Sequence, residues 1–393
     1  MSDYFQRQPQ SDEIRDMMKS FSSWFEVDLD SLGYNLKEIQ QRVEVEVMAV
    51  VKNNAYGHGL LPVTAYLNEK GVNWFMVAKV YEALKIKEAG LDCNVLNMDA
   101  LFSENQFDMV VKHDIVQTAY RKDTADRLNE SAEKLGKTMD VFVKVDTGLH
   151  RVGVKHTDAP RLVEYIEGLP HVHVKGIFST FMQNPESDRE MLEKLLWVDG
   201  KLREKGIEVE YRSMSSSDAV FHNPDGWLEM VRPGMSLYGV YPEDKDTASG
   251  LALKQALTFK ARIEHTKWVE KGDSVTYWGR FIAPQRMKIG TLHVGFYDGI
   301  PREMANKGTI KVGEVYRRSL GSVSLNHYLL DLSDTDAKIG DTVEIIGKEG
   351  ENSLAETAKT AGWMVYSLLN HLNPLIPRVY FKDNKPIAIL EST

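Results

Sequence analysis

The sequence is short of cysteine, of positive charge and of long apolar runs, and each shortage closes off a class of protein. A single cysteine, Cys93, cannot form an intramolecular disulfide or supply a thiolate zinc cluster. The 57 Asp and Glu outnumber the 48 Lys and Arg, and a net charge of −9 argues against a general nucleic-acid binder. It leaves room for a locally basic pocket around a small anion. The opening stretch, MSDYFQRQPQSDEIRDMMKS, has no apolar core of signal-peptide length, and no later stretch approaches a membrane span. There is no P-loop and no HExxH, and the 11 histidines show no ligand spacing. The expected setting is reducing and cytoplasmic, with neither membrane nor nucleic acid as partner.

What is present is an ordinary globular composition, 42% hydrophobic and 27% charged. At roughly 150 residues per domain, the 393 residues suggest two or three domains, or one large barrel with a smaller companion. Between Val45 and Tyr238 short β-rich runs alternate with helical patterns such as Thr124–Leu135 and Ser187–Lys205. The strand candidates are Glu46–Val51, Trp74–Val77, Asn94–Leu96, Ile115–Thr118, Asp140–Val145, His171–Phe178, Glu208–Arg212 and Met230–Leu237. Strands separated by helix-length segments imply parallel pairing, and this many units fit a (β/α)₈ barrel better than an open sheet. After about Ala248, runs such as LTFKARIEHTKWV and DTVEIIG are β-branched and broken by Gly and Asp, the texture of an antiparallel β domain. A helical stretch, Ser353–Asn370, and a strand, Arg378–Phe381, close it. The strand Phe25–Leu29 near the front is expected to join that distal domain. The expected division is an N-terminal segment over 1–40, a barrel over 41–245 and a β domain over 246–393.

The segment Val47–Gly59, VMAVVKNNAYGHG, carries the chemistry. An apolar strand ends in Lys52, and barrel active sites lie at the C-terminal ends of strands. A lysine desolvated there loses its proton readily and forms Schiff bases. Alone, however, a lysine after a strand more commonly just reaches to solvent.

The whole string decides otherwise. VVKNNAYGHG, with EVDLDSLGYNL upstream, resembles the leading motif of the alanine racemase family of pyridoxal phosphate (PLP) enzymes. The resemblance recurs, in order, in KVDTGLHRVG (144–153), VRPGMSLYG (231–239), SVTYWGRF (274–281), HVGFYDGIPR (293–302) and IPRVYF (376–381). It implies a PLP-binding barrel and a β domain in a head-to-tail homodimer with shared sites. By the resemblance, Lys52 carries PLP as a Schiff base and is one catalytic base, and Tyr277 from the companion subunit is the other. Tyr56, Ser216 (with Ser215 a near equal), and the backbone amides of Gly234 and Met235 would hold the phosphate. Trp363 or Tyr366 would join them, depending on the alignment. Arg232 would face the pyridine nitrogen and Arg151 the phenolate and substrate. Lys144 matches a lysine that is often carboxylated in the family. The Leu325 amide would meet the substrate carboxylate, and Asn326 beside it would face the substrate.

The set is chemically coherent. PLP delocalises an α-carbanion into its ring, and racemisation needs a base on each face of the planar intermediate. An arginine at the ring nitrogen can only donate, which keeps that nitrogen unprotonated and limits side reactions. A phenol ionises only near pH 10 unless positive charge or a donor lies close. Departures from the family pattern cluster on the substrate side. Thr180 replaces a histidine that stacks on the ring; Ser322, Leu325 and Asn326 replace arginine, methionine and aspartate; Phe296 and Tyr297 replace tyrosine and alanine in the access channel. The resulting expectation is an amino-acid racemase, with alanine the default and a bulkier substrate open. A decarboxylase, aldolase or lyase on the same scaffold, or a non-catalytic PLP-binding protein, are the alternatives.

Overall fold

The computed structural model describes residues 3–391. In chain order the first strands are β1 (Ser23–Asp28), β2 (Glu46–Val50), β3 (Trp74–Val77), β4 (Asn94–Asn97), β5 (Val116–Ala119), β6 (Met139–Asp146), β7 (Val154–Lys155), β8 (Val172–Phe178), β9 (Tyr211–Ser213), β10 (Met230–Val231) and β11 (Leu257–Val269). Parallel pairing gives the order β10-β2-β3-β4-β5-β6-β8-β9, with the short β7 beside β6. An isolated parallel bridge between Ser216 and Arg232, with Arg232 N donating to Ser215 O at 2.8 Å, brings the two ends together into a nearly closed barrel. β3 and β5 are buried at every position, as strands covered on both faces must be. Helices such as Val80–Glu88, Lys122–Leu135 and Pro185–Arg203 form the outer layer.

Local chemistry sets the boundaries. Asp28 ends β1 and caps the helix Leu29–Val43, its carboxylate accepting from Asp30 N and Ser31 N. Ser103 and Gln106 form a capping box on Glu104–Lys112. Between β6 and β8 the register slips at Val141/Phe142, opposite Gly176. A Cβ there would stand 2.6 Å from the Phe142 ring, so the barrel needs the bare backbone.

The distal domain is built on a nine-stranded sheet, in which Met287–Leu292 also pairs with β11, and carries a two-stranded sheet, Ser274–Val275 with Phe281–Ile282. The order of the larger sheet is Met287–Leu292, Tyr328–Asp331, Val315–Leu320, Thr309–Val312, Thr342–Ile346, β11, β1, Arg378–Lys382, Lys385–Leu390. β1 pairs antiparallel with β11 and parallel with Arg378–Lys382, so the front of the chain lies inside the sheet built by its end. No helix among the described residues is long and apolar enough to cross a membrane.

The expected elements need revision in three places, besides the strand expected at Glu208–Arg212, which lies at Tyr211–Ser213. Met230–Leu237 is a strand only at Met230–Val231, because Pro233 has no N–H for the ladder and Met235–Tyr238 coils into a 3₁₀ turn. Ser353–Asn370 is two helices, Leu354–Ala361 and Val365–His371, parted by Gly362 at φ +72°. The strand Lys385–Leu390 and the helices Asp3–Gln6 and Ser11–Met18 went unanticipated; Ile14 of the latter packs with Trp24, Val379 and Ile389.

Candidate active site

Lys52 follows β2 after a single residue, Val51, and opens an unusual turn. Asn53, Asn54, Ala55 and Tyr56 all have φ between +51° and +56°, a left-handed coil rather than the plain loop that the glycines suggest. Asparagine tolerates that region; Ala55 and Tyr56 each sit there at a cost of about 1–2 kcal/mol. The surroundings hold them in place. Glu82, buried, accepts from Asn54 N at 3.0 Å, and Asn54 Oδ1 accepts from Leu60 N at 2.9 Å. Tyr238 Oη donates to Val50 O at 3.0 Å, just ahead of the lysine. From the distal sheet, Arg378 Nε donates to Gly57 O at 2.6 Å and Tyr380 Oη to His58 O at 2.8 Å. Gly59 must be glycine: its φ is +101° and a Cβ would lie 1.8 Å from Tyr380 Oη. His58 is fully buried, stacked on Tyr238 at 4.4 Å, with Nδ1 3.1 Å from both Ala55 O and Tyr56 O. Burial pushes its pKa down to about 3, so the ring is neutral.

The turn borders a cavity of about 570 Å³ at the C-terminal mouth of the barrel. Lys52, Tyr56, Lys144, Arg151, Thr180, Ser216, Arg232, Gly234, Met235 and Tyr366 all line it. Burial first, then Arg151 and Arg232, lower the Lys52 pKa, with Glu82 opposing. Lys144 is held well below the ordinary lysine range, by burial foremost and then by Arg232 and Arg151. Arg232, 5% exposed, is brought down by burial to about 9 and remains cationic at neutral pH. Its guanidinium donates to Ser213 Oγ, to Ser179 O at 2.5 Å and to Thr180 Oγ1 at 3.3 Å. Lys144 Nζ donates to the same Thr180 hydroxyl at 3.0 Å and lies 4.5 Å over the Phe178 ring. The residue at the variant position thus serves as acceptor for two of the basic side chains.

The structure separates candidates that the motifs left equal. Ser215 turns inward, its hydroxyl donating to Gly226 O at 2.6 Å, whereas Ser216 faces the cavity. Tyr366 lines the cavity with its ring 5.6 Å from Tyr56; Trp363 does not, and instead packs edge-on against His371 at 5.1 Å. The Gly234 amide is engaged, donating to Ser217 Oγ at 2.9 Å, and Ser236 Oγ donates to that same oxygen at 3.1 Å. Ser217, passed over in the run SMSSSDA, therefore organises this end of the cavity. Three adjacent serines give no spacing signal that separates them. Asp218, Thr118 and Met364 are further lining residues that no motif marked.

Tyr277 is not among the lining residues. It stands 66% exposed on the distal domain beside Trp278, at 76%. Leu325, Phe296 and Tyr297 are exposed there too, at 51%, 40% and 54%. Backbone contacts gather them onto one face. Ser322 Oγ donates to Tyr277 O at 3.3 Å, and Ser322 N to Thr276 Oγ1 at 2.7 Å. Phe296 N and Tyr297 N donate to Ser324 O and Leu325 O, at 3.0 and 3.1 Å. Tyr277, Leu325, Asn326 and Phe296 thus lie together on one face of the distal domain, over the buried Ser322 and apart from the cavity of their own chain.

The N-terminal domain model of alanine racemase matches residues 27–242 and the C-terminal domain model matches 256–380. The chain belongs to the alanine racemase family. It is 30% identical to alanine racemase 1 of Clostridium acetobutylicum over 93% of this chain and 97% of that protein. It is 31% identical to the alanine racemase of Methanococcus maripaludis over 92% of this chain and 100% of that one. The alanine racemase of Clostridium difficile superposes with a TM-score of 0.90 at 28% identity, over 95% of this chain and 99% of that chain. The racemase from a D-cycloserine-producing Streptomyces lavendulae gives 0.85 at 27% identity, over 92% and 97%. Alanine racemases are PLP-dependent enzymes, and the cavity suits that cofactor. Hydroxyls of Tyr56, Tyr366, Ser216 and Ser217 gather at one end, where a Cβ on Gly234 would stand 2.6 Å from Tyr56 Oη. An amine of lowered pKa stands in the wall, and the buried Thr118 hydroxyl has no protein partner.

Proposed function

We propose that this chain interconverts the L and D forms of a small amino acid, alanine the first to test, as a cytoplasmic homodimer in which each site draws on both subunits. The observation that carries the reading is the split between two half-sites: a cationic cavity around Lys52, and an exposed tyrosine face on the other domain. PLP, when bound, supplies an electron sink for the charge left on the α-carbon. Lys52 Nζ, its pKa lowered, exchanges the α-proton on one side of the substrate. The Tyr277 hydroxyl of the companion subunit exchanges it on the opposite side. The Arg232 guanidinium, already anchored by Ser213 and Ser179, can only donate, so it keeps the ring nitrogen unprotonated. Ser216, Ser217, Tyr56, Tyr366 and the Met235 amide hold the phosphate end, and Gly234, its own amide taken up by Ser217 Oγ, leaves room there by having no side chain. Arg151 orients the phenolate side and the substrate. The Leu325 amide meets the substrate carboxylate from the companion subunit, and Asn326 beside it faces the substrate.

Lys144 supports a further part of this reading. Its buried amine is biased toward the neutral form. A neutral amine adds to CO₂, releasing one proton, to give a carbamate whose negative charge would balance the adjacent Arg151 and Arg232. The uncharged Ser322 and Asn326 widen the range of side chains this site accepts.

The test is to incubate the PLP-loaded protein with each enantiomer of alanine, and then of other amino acids, in D₂O. Chirality and α-deuteration are followed together. Both enantiomers should exchange the α-proton and converge on one ratio. Exchange from a single enantiomer, or CO₂, an aldehyde or a keto acid as stoichiometric product, would replace this reading with another PLP reaction. A cofactor absorbance band with no exchange on any amino acid would leave only a binding protein.

A further inference from the structure

A cluster at one end of the distal sheet takes no part in the chemistry above. Glu264 stands in β11, His293 follows the strand Met287–Leu292, and His327 precedes Tyr328–Asp331. These three strands are neighbours, with Ile263 opposite Leu292 and Leu292 opposite Tyr328. The β11 register slips between Ile263 and His265, so Glu264 occupies a bulge, a device that re-aims a side chain out of the ladder. Glu264 Oε2 lies 3.3 Å from His293 Nδ1 and 3.6 Å from His327 Nε2. The two rings stand at 79° with centroids 5.4 Å apart, and one ligand atom from each residue falls within 4.8 Å of the others.

We propose that Glu264, His293 and His327 bind one divalent transition-metal ion of the zinc class. Corners of a tetrahedral zinc sphere with bonds of about 2.0–2.1 Å stand about 3.3–3.4 Å apart, close to the two separations between Glu264 and the histidines. Two imidazoles and one carboxylate suit a borderline-soft ion; magnesium and calcium call for all-oxygen shells. Three protein ligands leave a fourth corner for water. The ligand side chains are half-exposed, at 51%, 45% and 46%, so an ion reaches them without any opening of the sheet. The position gives binding a consequence. His293 leads into Phe296 and Tyr297, and His327 follows Leu325 and Asn326. An ion here ties together the strand ends from which the tyrosine face springs, and so stabilises that face against unfolding.

The experiment titrates PLP-loaded, metal-stripped protein with Zn²⁺ alone against a chromophoric chelator, with thermal midpoints measured in parallel. One ion per chain should bind and raise the midpoint. E264Q, H293A and H327A should each weaken binding by about tenfold or more and abolish the rise. The metal-free midpoint of each variant reports whether it folds. H222A is the control, because Asp218, His222 and Asp246 are the other group of possible ligands among the described residues. Absence of saturable uptake, uptake untouched by all three substitutions, or loss only in H222A would each overturn the assignment.

Discussion

The turn at Lys52 and the face at Tyr277 are built in opposite ways. Around Lys52 the main chain is over-determined: a buried carboxylate, a capping asparagine, a stacked imidazole and two side chains from the other domain hold a left-handed coil that would not persist alone. Around Tyr277 only the backbone is tied, while the phenol, an indole and a leucine project outward. The contrast teaches that the Lys52 cavity is finished by its own chain, whereas the Tyr277 face presents aromatic surface that its own chain leaves open, the half a second subunit would cover on the proposed reading.

The most forceful way to break that comparison is to disable each half separately. Lys52→Ala should lower activity at least ~10⁴-fold and lose the cofactor's absorbance, whereas Tyr277→Phe should lower turnover by about 10²–10⁴-fold with cofactor retained. Mixing the two inactive chains should restore about a quarter of native activity, since half the dimers are hybrids and each has one complete site. No recovery after verified subunit exchange would show that the halves do not meet across an interface. Next in size, Glu82→Gln sets an amide group toward the Asn54 and Ala78 N–H groups and should cost about 2–3 kcal/mol in denaturant unfolding. Equal stability would mean that the coil does not depend on that carboxylate.

A smaller effect concerns His58. Its folded pKa, near 3, lies below the unfolded value of about 6.5, so the unfolded state binds the extra proton and stability falls as pH drops through that window. Between pH 6.5 and 5 the native protein should lose about 1.6 kcal/mol more than His58→Asn; parallel curves would exclude a buried neutral ring. Smallest, Tyr366→Phe should weaken PLP binding by about 1 kcal/mol while Trp363→Phe changes it by less than about 0.5 kcal/mol. The reverse order would restore the alternative alignment.

The sequence was legible where period and spacing carry meaning. VMAVV ending in Lys52 announced a buried strand with an amine at its tip, and alternating units after it announced a barrel. What stayed hidden depends on three-dimensional competition. Nothing local distinguishes Ser215 from Ser216 or Ser217, because their roles follow from where Gly226 and Gly234 approach them. Nothing in NNAY marks a left-handed coil, since Ala55 and Tyr56 are driven there by groups as distant as Arg378 and Tyr380. Trp363 and Tyr366 could be parted only once Gly362 had broken the helix between them and the preceding turn.

The grip of Arg378 and Tyr380 on the carbonyls after Lys52 has one more consequence. Because the strand Arg378–Lys382 is tied to the turn that follows Lys52, the two domains of one subunit cannot swing apart like jaws without pulling on that turn.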